Sequence, residues 1–94
     1  MSEFAGKMRS YYATTSSTAS GGAGRLWGYV ASGDGTAASI TFLDGGSGGT
    51  TIWRDSIPAT ASGTTSFAFP QGLAYDTNLY VTLSHVSNVS VLIE

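Results

Sequence analysis

Residues Gly45-Gly46-Ser47-Gly48-Gly49 have the spacing G-x-S-x-G, the turn that lifts a nucleophilic serine between a strand and a helix. That chemistry needs a histidine and a carboxylate to activate the hydroxyl. The chain has one histidine, His85, and the nearest acid to it in sequence is Asp76. The residues after Ser47 read as a strand, and an α/β-hydrolase sheet does not fit into 94 residues, so the segment is read as a glycine-rich turn. Gly33-Asp34-Gly35-Thr36-Ala37-Ala38 fits G-x-G-x-x-A, which grips a pyrophosphate only where it opens a helix. A strand follows here too, and Asp34-Gly35 is read as a hairpin turn. His85 is read as a turn residue rather than a general base.

Asp34, Asp44, Asp55 and Asp76 all fall at strand ends or turns, where Asp caps backbone N–H groups. A weak Ca²⁺ site between two such loops is the other chemistry open to them, although their spacing matches no loop motif. Asn88-Val89-Ser90 fits the glycosylation sequon, which carries no weight without a secretory signal. The reading is therefore non-enzymatic, with no catalytic, cofactor-binding or metal-ligating residue. Aromatic side chains remain. Trp27, Tyr29, Trp53 and Tyr80 each lie opposite the more regularly aliphatic face of their strand. Exposed Trp and Tyr are favoured anchors of protein interfaces, and Phe4, Tyr11 and Tyr12 join them as candidate partner contacts.

These residues sit in a chain of 94 residues with a formal net charge of −2 and only 11% charged residues. An average soluble domain has about 25%. So few Lys and Arg exclude counterion-replacing attachment to nucleic acid and a polybasic membrane-surface site. No run approaches the ~18 apolar residues that span a bilayer. The sequence has no cysteine, which removes disulfides and cysteine-based zinc sites. A domain this small has limited stability alone, and oligomerisation is the remaining way to increase it. Ser, Thr and Gly carry the polarity instead of charge, and such a surface packs against a partner without stripping many ions of water.

The elements are punctuated by glycine clusters and alternate with a period of two. In Leu26 to Ala31, Leu26 and Val30 share one face, Trp27 and Tyr29 the other. Ile40 and Phe42 share a face of the next strand, and the loose turn Asp44 to Gly49 leads to a strand over Thr50 to Asp55, ended by Pro58. Phe67 and Phe69 alternate until Pro70 stops the strand. Pro70 to Thr77 reads as a loop that can bury Leu73 and Tyr75. Leu79, Val81 and Leu83 form one stripe and Val89, Val91 and Ile93 another, joined as a closing hairpin around His85 to Asn88. Regular strands with no helical stripe predict an all-β fold: an antiparallel β-sandwich or barrel of about six to seven strands over 25–94. Residues 1–24 read as an N-terminal arm or linker, with one extra strand allowed at Tyr11 to Ala13, because Thr14 to Gly24 has almost nothing to bury.

From Arg25 to Glu94 the pattern resembles small Gly/Ser/Thr-rich virion structural proteins of tailed, particularly marine, bacteriophages. The likeness runs through Arg25-Leu26-Trp27-Gly28-Tyr29-Val30, the Asp44-to-Thr51 turn, the Pro58 break, Gly72-Leu73, Asn78-to-Leu83 and the valine-rich end. It covers about three quarters of the chain. The resemblance implies a structural role in the virion, made in the host cytoplasm, and a capsid decoration (cement) protein is the subclass chosen. The partners would then be the major capsid protein and copies of the chain itself, as a trimer. A tail or head-fibre module that binds a host surface is the alternative. The resemblance supplies no catalytic residue.

Overall fold

Alternating strands with one apolar face must bury that face, and in this chain two sheets bury it against each other. The computed structural model describes residues 8–59 and 63–94. It contains eight strands: β1 (Arg9–Ala13), β2 (Ser17–Ser20), β3 (Gly24–Gly33), β4 (Ala38–Asp44), β5 (Thr50–Ile57), β6 (Thr64–Tyr75), β7 (Leu79–Ser84) and β8 (Val86–Ile93). No helix occurs among the described residues. Sheet A has the order β1-β8-β3-β6 and sheet B the order β2-β7-β4-β5, with every pairing antiparallel. The all-β sandwich is thus as expected, with eight strands rather than six to seven.

The pairings β1·β8, β2·β7, β3·β6 and β4·β5 are those of one long nested hairpin whose tip is the β4–β5 turn. Rolling that hairpin adds β3·β8 and β4·β7 and divides the ribbon into two sheets. This is the eight-stranded jelly roll. Ile40, Phe42, Leu79, Val81, Val89 and Val91 fill the centre of the sandwich with no exposed surface, as the sequence stripes require.

Five local expectations are corrected, the last of them at the bulge in β3. Asp34-Gly35 does not close a hairpin, because β3 lies in sheet A and β4 in sheet B. The same holds for His85, which alone turns the chain from β7 in sheet B to β8 in sheet A at a φ of 59°. Turn residues specify a reversal, not whether the flanking strands pair. Pro70 does not stop β6, which continues to Tyr75. It lies in residues 69–72 of this edge strand, which the register with β3 skips between Gly28↔Ala68 and Leu26↔Leu73, so its missing N–H costs no ladder bond. Residues 9–20 are not an arm or linker either, and the extra strand allowed at Tyr11 to Ala13 is present as β1. β1 and β2 pair with β8 and β7, and Ala13, Ala19 and Ser20 are buried.

A bulge at Trp27 interrupts the pairing of β3 with both of its neighbours. One inserted residue resets the alternation. Leu26, Tyr29 and Ala31 therefore face the core, and Val30 turns outward with 52% of its surface exposed. The expected sharing of a face by Leu26 and Val30 is wrong for that reason.

Candidate functional site

The outer face of sheet A follows from the register. Tyr12, Ser90, Val30 and Ser66 form one cross-strand row, and Ser10, Leu92, Gly28 and Ala68 the next. Tyr12, Val30 and Leu92 are 64%, 52% and 41% exposed. The short side chains between them leave an open groove of about 630 Å³, bordered by Trp27 at one end. Neither row carries a charged side chain. Trp27 donates its indole N–H to Glu94 Oε1 at 3.3 Å, which marks the nearest edge of charge.

Sheet B presents a different outer face. Ser84, Ser39 and Ser56 form one row, Thr82, Thr41 and Arg54 the next, and Thr18, Tyr80, Leu43 and Thr51 a third. Hydroxyls dominate it, and Arg54 is its one charged group. The other charges of the described residues lie at strand ends, in turns or in the mouth of the sandwich. Arg9 donates to Ser20 Oγ and Arg25 to the Gln71 carbonyl.

That mouth, between edge strands β5 and β6, holds a polar network that joins the two sheets. Asp55 accepts from Tyr29 Oη at 2.7 Å, from Thr65 Oγ1 at 2.9 Å and from the Ser56 N–H at 2.8 Å. Trp53 Nε1 donates to the same Tyr29 oxygen at 2.8 Å. Tyr29 and Thr65 belong to sheet A, Trp53 and Asp55 to sheet B, so the network clamps the two layers. Trp53 also stacks on Phe67, with ring centroids 4.8 Å apart, and meets Phe69 edge-on. Burial, helped by the Asp55 hydrogen bond, pushes the Tyr29 phenol far above its ordinary range. Burial also raises the Asp55 carboxyl, but the hydroxyls of Tyr29 and Thr65 and the Ser56 N–H outweigh it and leave the group below its usual value.

Asp44 and Asp34 cap backbone N–H groups. Asp44 accepts N–H groups from Asp76, Thr77 and Asn78, at 2.8, 2.9 and 3.4 Å. The Asp76 and Thr77 bonds lower its pKa. The β4–β5 turn expected to be loose is thereby tied to the β6–β7 loop, and Asn78 Oδ1 accepts the Gly45 N–H as well. Asp34 is lowered chiefly by the Thr36 N–H, and its other oxygen lies 3.4 Å from His85 Nδ1. No group of three His, Cys, Asp or Glu side chains that could hold a metal ion occurs among the described residues. Ser47 and His85 belong to turns at opposite ends of the sandwich, since β4 runs its length between Asp34 and Asp44. The G-x-S-x-G and G-x-G-x-x-A segments are inter-strand connections with no helix after them.

The aromatic residues expected at one interface are dispersed. Tyr12 and Trp27 lie on the outer face of sheet A, Tyr80 on that of sheet B, and Trp53 in the mouth. Tyr11 packs against the core and shares a hydrogen bond with Ser17 Oγ at 2.7 Å. Tyr29, 3% exposed, is a core residue and offers no surface to a partner; the bulge at Trp27 is what turned it inward. Phe4 lies outside the described residues. Val30 and Leu92 were not among the expected contacts. The stripe Val89, Val91, Ile93 already placed Leu92 outside, whereas nothing local announced the outward turn of Val30. No protein-family model matches this chain, and neither the curated proteins nor the solved structures contain a match to it.

Proposed function

We propose that this chain is a non-enzymatic structural protein of a bacteriophage particle, a capsid decoration protein that packs on and between major capsid proteins. The observation that carries the reading is the distribution of charge. The central rows of sheet A's outer face carry no charged side chain, with Arg25 and Glu94 only at its margin, and those of sheet B carry only Arg54. A sandwich with two such faces can contact neighbours on both sides without desolvating ion pairs, whose removal from water costs several kcal/mol per ion. The jelly-roll topology supports the reading as a fold used in viral shells.

Attachment would then rest on apolar burial and hydroxyl or backbone hydrogen bonds, and exposed ion pairs, at about 0–1 kcal/mol each, would add little. The test is binding of the purified chain to capsids depleted of it, with copy number measured in intact particles by quantitative mass spectrometry. Binding that persists in about 1 M salt, where exposed charges are screened, and a copy number approaching that of the major capsid protein support decoration. A few copies per particle indicate the fibre module instead. Absence from the particle refutes both.

A further inference from the structure

We propose that the outer face of sheet A is the surface through which two copies of this chain pack against each other. The two rows across that face alternate in size. Tyr12 and Val30 stand in the first row with Ser90 between them and Ser66 beyond, and Leu92 stands in the second between Ser10 and Gly28, with Ala68 beyond. The tall residues of one row thus sit beside the short residues of the other. A surface of knobs and hollows in this arrangement can receive a second copy of itself, knob into hollow, across a two-fold axis.

Charge selects the same occupant. A self-pairing face meets its own charges, so any charged group near the axis would face its like. These rows have none, although the chain as a whole is acidic. The hydroxyls of Ser10, Ser66 and Ser90 can exchange hydrogen bonds with their equivalents. Size is sufficient for a modest dimer. With the next outward row, Ser32 beside Asn88 and Thr64, which is also uncharged, four strands about 4.8 Å apart and roughly six residues at about 3.3 Å each give a flat area of roughly 400 Å² per copy. Pairing two would bury on the order of 1,000 Å² of accessible surface, at the lower limit for specific interfaces. The pairing should therefore be reversible and depend on concentration. It deepens the packing role proposed above by assigning one of the two charge-poor faces, but the two ideas fail separately.

The experiment is sedimentation velocity of the full chain, with light scattering, up to roughly 0.5 mM, where an interface of this size is populated. The wild type should pass from the mass of one chain to that of two. Ser90→Arg puts a charge at an exposed position in the middle of the face, and should weaken pairing by about tenfold or more because that charge is buried without a partner. Thr82→Arg, on the outer face of sheet B, should pair as the wild type does. Melting curves at a dilution where all three are single chains check that the fold is intact. A wild type that remains a single chain overturns the inference. So does Ser90→Arg pairing as tightly as wild type, or Thr82→Arg losing pairing equally. A chain that never pairs yet binds depleted capsids leaves decoration standing, and one that pairs but is absent from particles does the reverse.

Discussion

Replacing Tyr29 with Phe removes one oxygen and keeps the buried ring with its contacts to Phe42 and Phe69. That oxygen makes two bonds: it receives the Trp53 indole N–H at 2.8 Å and donates to Asp55 at 2.7 Å. Asp55 keeps Thr65 and the Ser56 N–H, so the charge is not stranded. The loss is one charge-assisted bond and one neutral bond at a partly buried site, about 2–3 kcal/mol together. For a domain of this size that corresponds to a fall in Tm of about 8–20 °C, read at fixed concentration so that self-association does not contribute. The pH dependence gives a second readout. Tyrosine in the unfolded chain ionises near pH ~10, whereas folded Tyr29 holds its proton to higher pH. The wild type should therefore lose stability as pH rises above about 10, and Tyr29→Phe should lose less over that interval. On the acid side Asp55 is depressed in the folded state, so its contribution is present above about pH 4 and is lost as pH falls through its folded pKa. Chemical unfolding of both proteins across pH 3–11 is the assay. A change below about 0.5 kcal/mol, the level of an ordinary surface substitution, with an unaltered alkaline limb, would refute the clamp between the sheets.

Deleting residues 1–20 removes β1 and β2 together with the buried Ala13, Ala19 and Ser20, and should abolish the cooperative unfolding transition that the full chain shows in a circular dichroism melt. Gly49→Ala places a methyl against the Asp44 carbonyl oxygen and should destabilise by about 1–3 kcal/mol, as overpacking does, measured by denaturant titration. Asp44→Ala releases the N–H groups of Asp76, Thr77 and Asn78, so hydrogen exchange at those amides should accelerate while core amides of β4 and β8 keep their protection.

The amino-acid sequence by itself determined the class of the fold and most of its interior. Ile40 with Phe42, Leu79 with Val81, and Val89 with Val91 and Ile93 alternate without interruption, and each set is buried as its period requires. The same alternation put Ser90 and Leu92 outside, and the low charge was plain from composition. Tertiary structure decided what local pattern cannot encode. Whether strands joined by Asp34-Gly35 or by His85 pair with each other depends on the whole ribbon being rolled, because a turn fixes only the reversal of direction. Residues 17–20 look too polar to bury, yet β7 needs a partner for its free edge and supplies the hydrogen bonds that hold them. The bulge at Trp27 sets two steps of β3 against one of β8, and that single residue moved Tyr29 into the core, where it reaches Asp55, and turned Val30 out onto the face of sheet A.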